Sequence, residues 1–165
     1  MATLTKVRLC ITVFIVGLVA SGITAFPLLY ELNVLCRIFG VGATESSTGH
    51  SGLKWWLMHV REGLLVTYGH YPFVAYGTDW LAFGHLAIAI FFLGPLVDPA
   101  RNIWVIYAGL MACVAVIPLA LICGPIREIP IYWRFIDCSF GAVGFIPLWV
   151  ALKFTKELEQ TQDRK

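Results

Sequence analysis

Four long apolar runs, separated by polar segments, dominate the pattern of the chain. They cover residues 9–30, 78–97, 100–123 and 132–154. About 20 consecutive apolar residues are enough for a helix to cross a bilayer, so each run predicts one membrane span. Short links join the last three runs, and short links favour antiparallel neighbours. The pattern predicts an all-α membrane protein, a four-transmembrane-helix up-down bundle that forms a single domain over residues 1–165.

The long connection between the first two spans, residues 31–77, carries a different pattern. Its middle, residues 40–52, is rich in Gly, Ser and Thr and predicts a mobile loop. In residues 53–66, apolar side chains then recur at helical spacing: Leu53, Trp56, Val60 and Leu64. With Arg61 and Glu62 at polar positions, this spacing predicts an amphipathic helix on the outer bilayer surface. The alternative is a helix that packs against the bundle.

Local signals mark the ends of the predicted spans. Thr78 is the predicted N-cap of the second span, and Asp79 in the first turn suits the positive end of the helix dipole. Asp98 is predicted to cap the third span, and Gly124, followed by proline, to end it. The charged tail, residues 155–165, is predicted to extend the fourth helix and fray.

The first apolar run has two interpretations. A basic start, an apolar core and small residues at 20–22 are typical of a signal peptide. The run continues to Tyr30, which is longer than a usual signal core, so we favour an uncleaved helix. Gly17, Ser21 and Ala25 recur every four residues and predict a face for close helix packing.

The composition agrees with a membrane class. The chain is 59% hydrophobic and 13% charged, with a mean hydropathy of +0.79, whereas soluble domains carry about 25% charged residues. The net charge is only +2 and no basic run is present, so nucleic acid is not an expected partner. None of the usual nucleotide-binding, serine-hydrolase or zinc-protease motifs occurs, which leaves open whether the chain is an enzyme.

The distribution of cations predicts the orientation. One side of the predicted bundle carries Lys6, Arg8, Arg101, Lys153, Lys156, Arg164 and Lys165. The other side carries Arg37, Lys54, Arg61, Arg127 and Arg134. Because cations in short flanks favour the cytoplasm, we expect a multi-pass protein of the plasma (inner) membrane with both termini cytoplasmic.

Ionisable residues are predicted to meet near the outer ends of the second and fourth spans. A charged group inside a span usually faces the bundle and marks a site. The predicted pocket is lined by His85, Arg134 and Asp137, with Trp80 and Trp133 as aromatic walls. The alternative is an ion pair between Arg134 and Asp137, three residues apart, that only fixes helix packing.

A metal site is a further prediction. If the surface helix ran on to His70, then His59, Glu62 and His70 would share one face, and His85 could approach from below. Imidazole and carboxylate ligands of this kind suit zinc or iron. A haem held by His85 with His59 or His70, or a quinone beside His85 and Arg134, are further alternatives, and none of these cofactors is favoured.

The pattern therefore supports three functional hypotheses. The first is a membrane binding or accessory protein whose outer pocket holds a small or amphiphilic ligand or docks a partner subunit, including a second copy of the chain. The second is a membrane oxidoreductase or metal-dependent enzyme that uses the outer histidines. The third is a purely structural membrane subunit.

Overall fold

The computed structural model describes residues 2–42, 47, 49 and 51–163. Regular structure among these residues is helical throughout, with no strand. Part of the loop predicted over residues 40–52, including His50, lies outside the described residues.

Seven α-helices follow one another along the described chain. They are α1 (Ala2–Ala25), α2 (Leu28–Ile38), α3 (Gly52–His70), α4 (Tyr76–Phe91), α5 (Leu93–Val97), α6 (Ile103–Ile126) and α7 (Ile131–Asp163). A 3₁₀ turn, Pro72–Ala75, leads directly into α4.

Four helical stretches are long and apolar enough to cross a membrane. They are Thr3–Ala25, Pro72–Val97, Ile103–Ile126 and Ile131–Thr161. This confirms the predicted all-α class and the four candidate spans. The up-down arrangement and the membrane itself stay predictions.

The first span ends earlier than predicted, at Ala25 rather than at residue 30. Pro27 accounts for the break, because proline has no backbone N–H and its ring clashes with the preceding helical turn. Helix α2 then begins at Leu28, and the N–H of Glu31 donates to the carbonyl of Pro27 over 3.0 Å.

The predicted N-cap role of Thr78 is wrong. Helix α4 already begins at Tyr76, and the hydroxyl of Thr78 donates to the carbonyl of Ala75 over 2.7 Å. The position of Asp79 in the first turn is as predicted. At its other end, α4 stops at Phe91 because Pro95 offers no N–H to the carbonyl four residues before it.

Both predicted ends of the third span also shift. The carboxylate of Asp98 accepts a hydrogen bond from the backbone N–H of Arg101 over 3.1 Å, so it stabilises a turn before α6 rather than capping the helix itself. Gly124 does not end α6, which continues to Ile126. The last helix, α7, runs on to Asp163, so the described part of the predicted tail is helical.

The chain divides into two compact units. The first comprises Met1–Val19 and Ala87–Lys165, and the second is Ala20–Leu86. The core of the first unit is a cluster of buried apolar side chains: Val7, Ile11, Phe92, Ile106, Leu110, Cys113, Leu148 and Ala151. Most of it comes from α1, α6 and α7.

Glycine on α7 lets it approach α6 closely in the first unit. A Cβ atom added at Gly141 would collide with the carbonyl oxygen of Cys113, and one added at Gly144 would lie 3.1 Å from the Cys113 sulfur. By contrast, a Cβ atom at Gly17 on α1 would meet nothing within 4 Å. The close-packing face predicted on α1 at Gly17 is therefore not used at that position.

The second unit is built on the packing of α2 against α3. Its buried apolar side chains are Leu32, Cys36, Val41, Leu57, Met58 and Ala82. The part of α1 in this unit packs through Gly22, where an added Cβ atom would lie 3.0 Å from the Ala82 carbonyl of α4. Helix α3 buries Leu57, Met58 and Arg61 in this unit, and its place on the bilayer surface or against the bundle stays a prediction.

Candidate functional site

The second unit holds an open groove of about 340 Å³. Four aromatic side chains and one carboxylate line it: Phe26, Tyr76, Asp79, Trp80 and Phe83. We call this feature the aromatic groove. Its volume lies at the lower end of the range of about 300–1,000 Å³ in which proteins bind small ligands.

The sequence builds the aromatic groove from one face of α4. Positions 76, 79, 80 and 83 have the spacing i, i+3, i+4 and i+7, which places their side chains on one side of a helix. Phe26 completes the groove from the turn that Pro27 imposes after α1. Because α4 begins at Tyr76 rather than at residue 78, Tyr76 is helical and lies on the same face as Trp80.

The rings of the groove are arranged at right angles to their neighbours. The centroids of Tyr76 and Trp80 are 5.9 Å apart with planes at 81°, and those of Trp80 and Phe83 are 5.7 Å apart at 87°. This edge-to-face arrangement is favourable for aromatic pairs. About 57% of Trp80 remains exposed, so the rings keep surface for a ligand.

Among the described residues, Asp79 is the only charged one that lines the groove. It is half-buried, and no hydrogen bond or ion pair of Asp79 is found among the described residues. The positive end of the α4 dipole is an incomplete partner for a carboxylate, because it carries only about half an elementary charge. The groove therefore combines apolar walls with a carboxylate that still has room for a cation.

The residues predicted to line an outer pocket have different surroundings. Trp80 lines the aromatic groove, whereas His85 does not; its Nδ1 atom hydrogen-bonds to the carbonyl of Leu81, 2.8 Å away. His85 belongs to the second unit, and Trp133, Arg134 and Asp137 belong to the first. That His85 meets Arg134 and Asp137 stays a prediction.

The start of α7 contradicts the predicted ion pair between Arg134 and Asp137. The Nε of Arg134 donates to the carbonyl of Ile129 over 2.7 Å, so the side chain turns back toward the link before α7. Its methylene groups cover Gly124, where an added Cβ atom would lie 2.7 Å from Arg134 Cδ. Within the described residues of its unit, Asp137 makes neither a hydrogen bond nor an ion pair.

The residues of the predicted metal site are engaged elsewhere. His59 stacks on Trp55 at a centroid distance of 5.0 Å, and Glu62 accepts hydrogen bonds from the N–H and hydroxyl of Ser47 over 2.8 and 2.9 Å. The Nδ1 of His70 bonds to the Val66 carbonyl.

Helix α3 does run to His70, as the metal hypothesis required. However, the eleven residues from His59 to His70 rise roughly 16 Å along a helix, too far for two ligands of one ion. Among the described residues, no group of three or more His, Cys, Asp or Glu side chains is placed to hold a metal ion. The described residues do not bring His59, Glu62, His70 and His85 together as such a group, and the haem and quinone alternatives stay predictions.

Two important polar residues were missed by the sequence pattern. Asp79 was interpreted mainly as a helix-dipole residue. Its spacing from Tyr76 and Phe83 is the signal that could have placed it on one helix face with these aromatic residues. Arg61 was assigned to the polar side of its helix but is only 2% exposed, and its Nη1 donates to the carbonyl of Gly42 over 3.2 Å. Arg61 shares a face with Leu57 and Met58, which places it in the contact between helices.

The fold and its composition define a class, an all-α protein whose four candidate spans are typical of a multi-pass membrane protein. No protein-family model, curated protein or solved structure matches the chain.

Proposed function

We propose that this chain is an integral membrane binding protein that holds the head of an amphiphilic ligand in the aromatic groove. The observation that carries the proposal is the half-buried carboxylate of Asp79, which lies among four aromatic rings and has no hydrogen bond or ion pair with a described residue. An amphiphile matches such a site, because one end can pair with the carboxylate while the other contacts apolar surface.

The position of the groove supports an amphiphile over a fully polar ligand. From Tyr76 to Phe83 the groove extends about 10 Å along α4 at 1.5 Å per residue. These residues begin the candidate span Pro72–Val97, and Tyr and Trp favour the membrane–water boundary. In the predicted orientation, with both termini in the cytoplasm, the groove opens at the outer face of the plasma membrane.

Photo-crosslinking tests the binding. The probe is a single-chain zwitterionic amphiphile with a diazirine beside its head group, added to purified protein in nanodiscs and mapped by peptide mass spectrometry. We expect saturable labelling of residues 76–83 that excess unlabelled amphiphile suppresses. Trp80→Leu should reduce this labelling roughly fivefold, because losing one aromatic wall costs about 1 kcal/mol.

Trp104→Leu is the matched control, since Trp104 is 76% exposed on α6 and does not line the groove. It should leave labelling of residues 76–83 unchanged. Labelling spread over all exposed apolar faces, without saturation and without an effect of Trp80→Leu, would contradict the proposal.

A second candidate function is that of an accessory subunit, and Asp137 favours it. This half-buried carboxylate on a candidate span has no partner among the described residues of its own unit. An ionisable group within a membrane span usually pairs with another polar group. The predicted outer pocket would supply His85 to it, and a partner membrane protein or a second copy of the chain would supply a donor in trans.

A further inference from the structure

We infer that the aromatic groove selects the choline head group of a membrane phospholipid. This inference rests on the proposed function and adds the class of ligand to it. It depends on three features of the groove: its charge, the kind of surface that its rings present, and its place on a candidate membrane span.

The charge of the groove favours a cationic group. Within the part of the chain that the structure describes, its lining contains one carboxylate and no Lys, Arg or His. A cation within about 4 Å of Asp79 gains several times more attraction at a partly buried site than in bulk water. An anionic head group would instead meet Asp79 with like charge, so phosphatidylglycerol is a poor ligand for this groove.

The rings favour a quaternary over a primary ammonium. A primary ammonium carries three N–H donors that need acceptors. The described side chains that line the groove offer only the Asp79 carboxylate and the Tyr76 hydroxyl. A quaternary ammonium donates no hydrogen bond and is attracted by the faces of Trp, Tyr and Phe. Aromatic cages that recognise methylated ammonium groups combine these elements, and Trp80 at right angles to Tyr76 and Phe83 provides adjoining ring surfaces.

The place of the groove selects a lipid as the source of choline. All lining residues of α4 belong to the candidate span Pro72–Val97, and the groove is open rather than enclosed. An open groove lets the phosphate and acyl chains of a lipid remain outside while the trimethylammonium group enters. Free choline lacks the acyl chains that would hold it at this depth.

Native mass spectrometry with a defined lipid mixture tests the inference. Purified full-length protein is incubated with equal amounts of phosphatidylcholine, phosphatidylethanolamine and phosphatidylglycerol that carry identical acyl chains. We expect retained phosphatidylcholine to exceed each other lipid by about fivefold to tenfold. Asp79→Asn should abolish this preference, and free choline at millimolar concentration should not displace the lipid.

Glu31→Gln is the matched control. It makes the same carboxylate-to-amide change in the same unit, at a residue of α2 that does not line the groove. It should retain the full preference for phosphatidylcholine. Circular dichroism and the elution volume of each variant verify that Asp79→Asn folds, and Asp79→Glu, which keeps the charge, should preserve at least part of the preference.

The outcomes separate this inference from the proposed function. If the three lipids are retained equally but Trp80→Leu lowers all of them, the amphiphile site stands and the choline inference is overturned. Equal retention of phosphatidylethanolamine and phosphatidylcholine overturns the choice of a quaternary head group. If Trp80→Leu changes no lipid, both the inference and the proposed function fail.

Discussion

Single glycines decide how closely the helices of the first unit approach. At Gly141 the carbonyl of Cys113 occupies the space that a side chain would need, and Phe14 and the Cys113 sulfur crowd Gly144. Gly141 and Gly144 lie three residues apart on α7 and therefore share one side of it. The sequence pattern alone does not reveal that a backbone carbonyl fills the space beside Gly141.

A methyl group at Gly141 should therefore destabilise the protein. We expect Gly141→Ala to lower the free energy of unfolding by about 1–3 kcal/mol, the usual cost of overpacking a tight contact. Thermal unfolding in a mild detergent, followed by circular dichroism, measures the change. The backbone carbonyl cannot move away as the end of a flexible side chain would, so relaxation recovers little of this cost.

Gly17→Ala provides the comparison for this prediction. No atom lies within 4 Å of a Cβ atom added there, and alanine is about 1 kcal/mol more favourable than glycine inside a helix. This variant should be neutral or slightly more stable. Equal stability of the two variants would contradict the tight α6–α7 contact.

The helices themselves were predicted better than their ends. Length and hydropathy were enough to locate four candidate spans, because burial in an apolar medium needs a long apolar run. The ends depended on single prolines and turns. Pro27 ends α1 before the apolar run stops, whereas Pro125 is accommodated in the last turn of α6.

The short helix α5 is held at its C-terminal end by a residue distant in sequence. Arg8 on α1 donates from Nε to the carbonyl of Leu96 over 3.1 Å and from Nη2 to that of Val97 over 3.2 Å. A cation also suits the negative end of a helix dipole. The sequence assigned Arg8 only a role in orientation, because such a contact between elements leaves no local pattern.

Removing this contact should weaken the attachment of α5. We expect Arg8→Ala to lower the free energy of unfolding by roughly 1 kcal/mol, since the two hydrogen bonds are exposed to solvent. Arg8→Lys should recover only part of the loss, because an ammonium cannot reproduce the planar fork of a guanidinium. Chemical denaturation monitored by tryptophan fluorescence gives the three values.

Lys153→Ala is the control for Arg8→Ala. It removes one positive charge but no hydrogen bond, because Lys153 is exposed and makes no hydrogen bond or ion pair with another described residue. It should leave stability within about 0.5 kcal/mol of the parent. If Arg8→Ala and Lys153→Ala lowered the free energy of unfolding by similar amounts, the effect would come from net charge rather than from the contact with α5.

At the scale of the whole molecule, the relative rotation of the helices was the hardest feature to predict. Lipid is as apolar as the side chains that face other helices, so a membrane span shows little amphipathic period. Helix α6 is apolar on every side and gives no such signal. The meeting of His85 with Asp137 was therefore inferred from their depth and from the helix side that each shares with small residues. Neither signal gives the direction in which that side faces.

A double-mutant cycle tests that meeting. If His85 and Asp137 interact, the effects of His85→Ala and Asp137→Ala on unfolding free energy should be non-additive by at least about 0.5 kcal/mol. Arg134→Leu paired with His85→Ala gives a second cycle for the predicted pocket. Strict additivity in both cycles would rule out the pocket, and Asp137 would then need a donor from another chain.

Helix α7 is longer than is needed to cross a membrane. Its 33 residues extend about 50 Å at 1.5 Å per residue, whereas the hydrocarbon layer measures only about 30 Å. An upright α7 would thus carry its last turns about 20 Å beyond that layer, as a rigid stalk. The distance of a fluorophore on this stalk from the bilayer would report the tilt of α7, because a tilted helix brings the dye closer to the lipid.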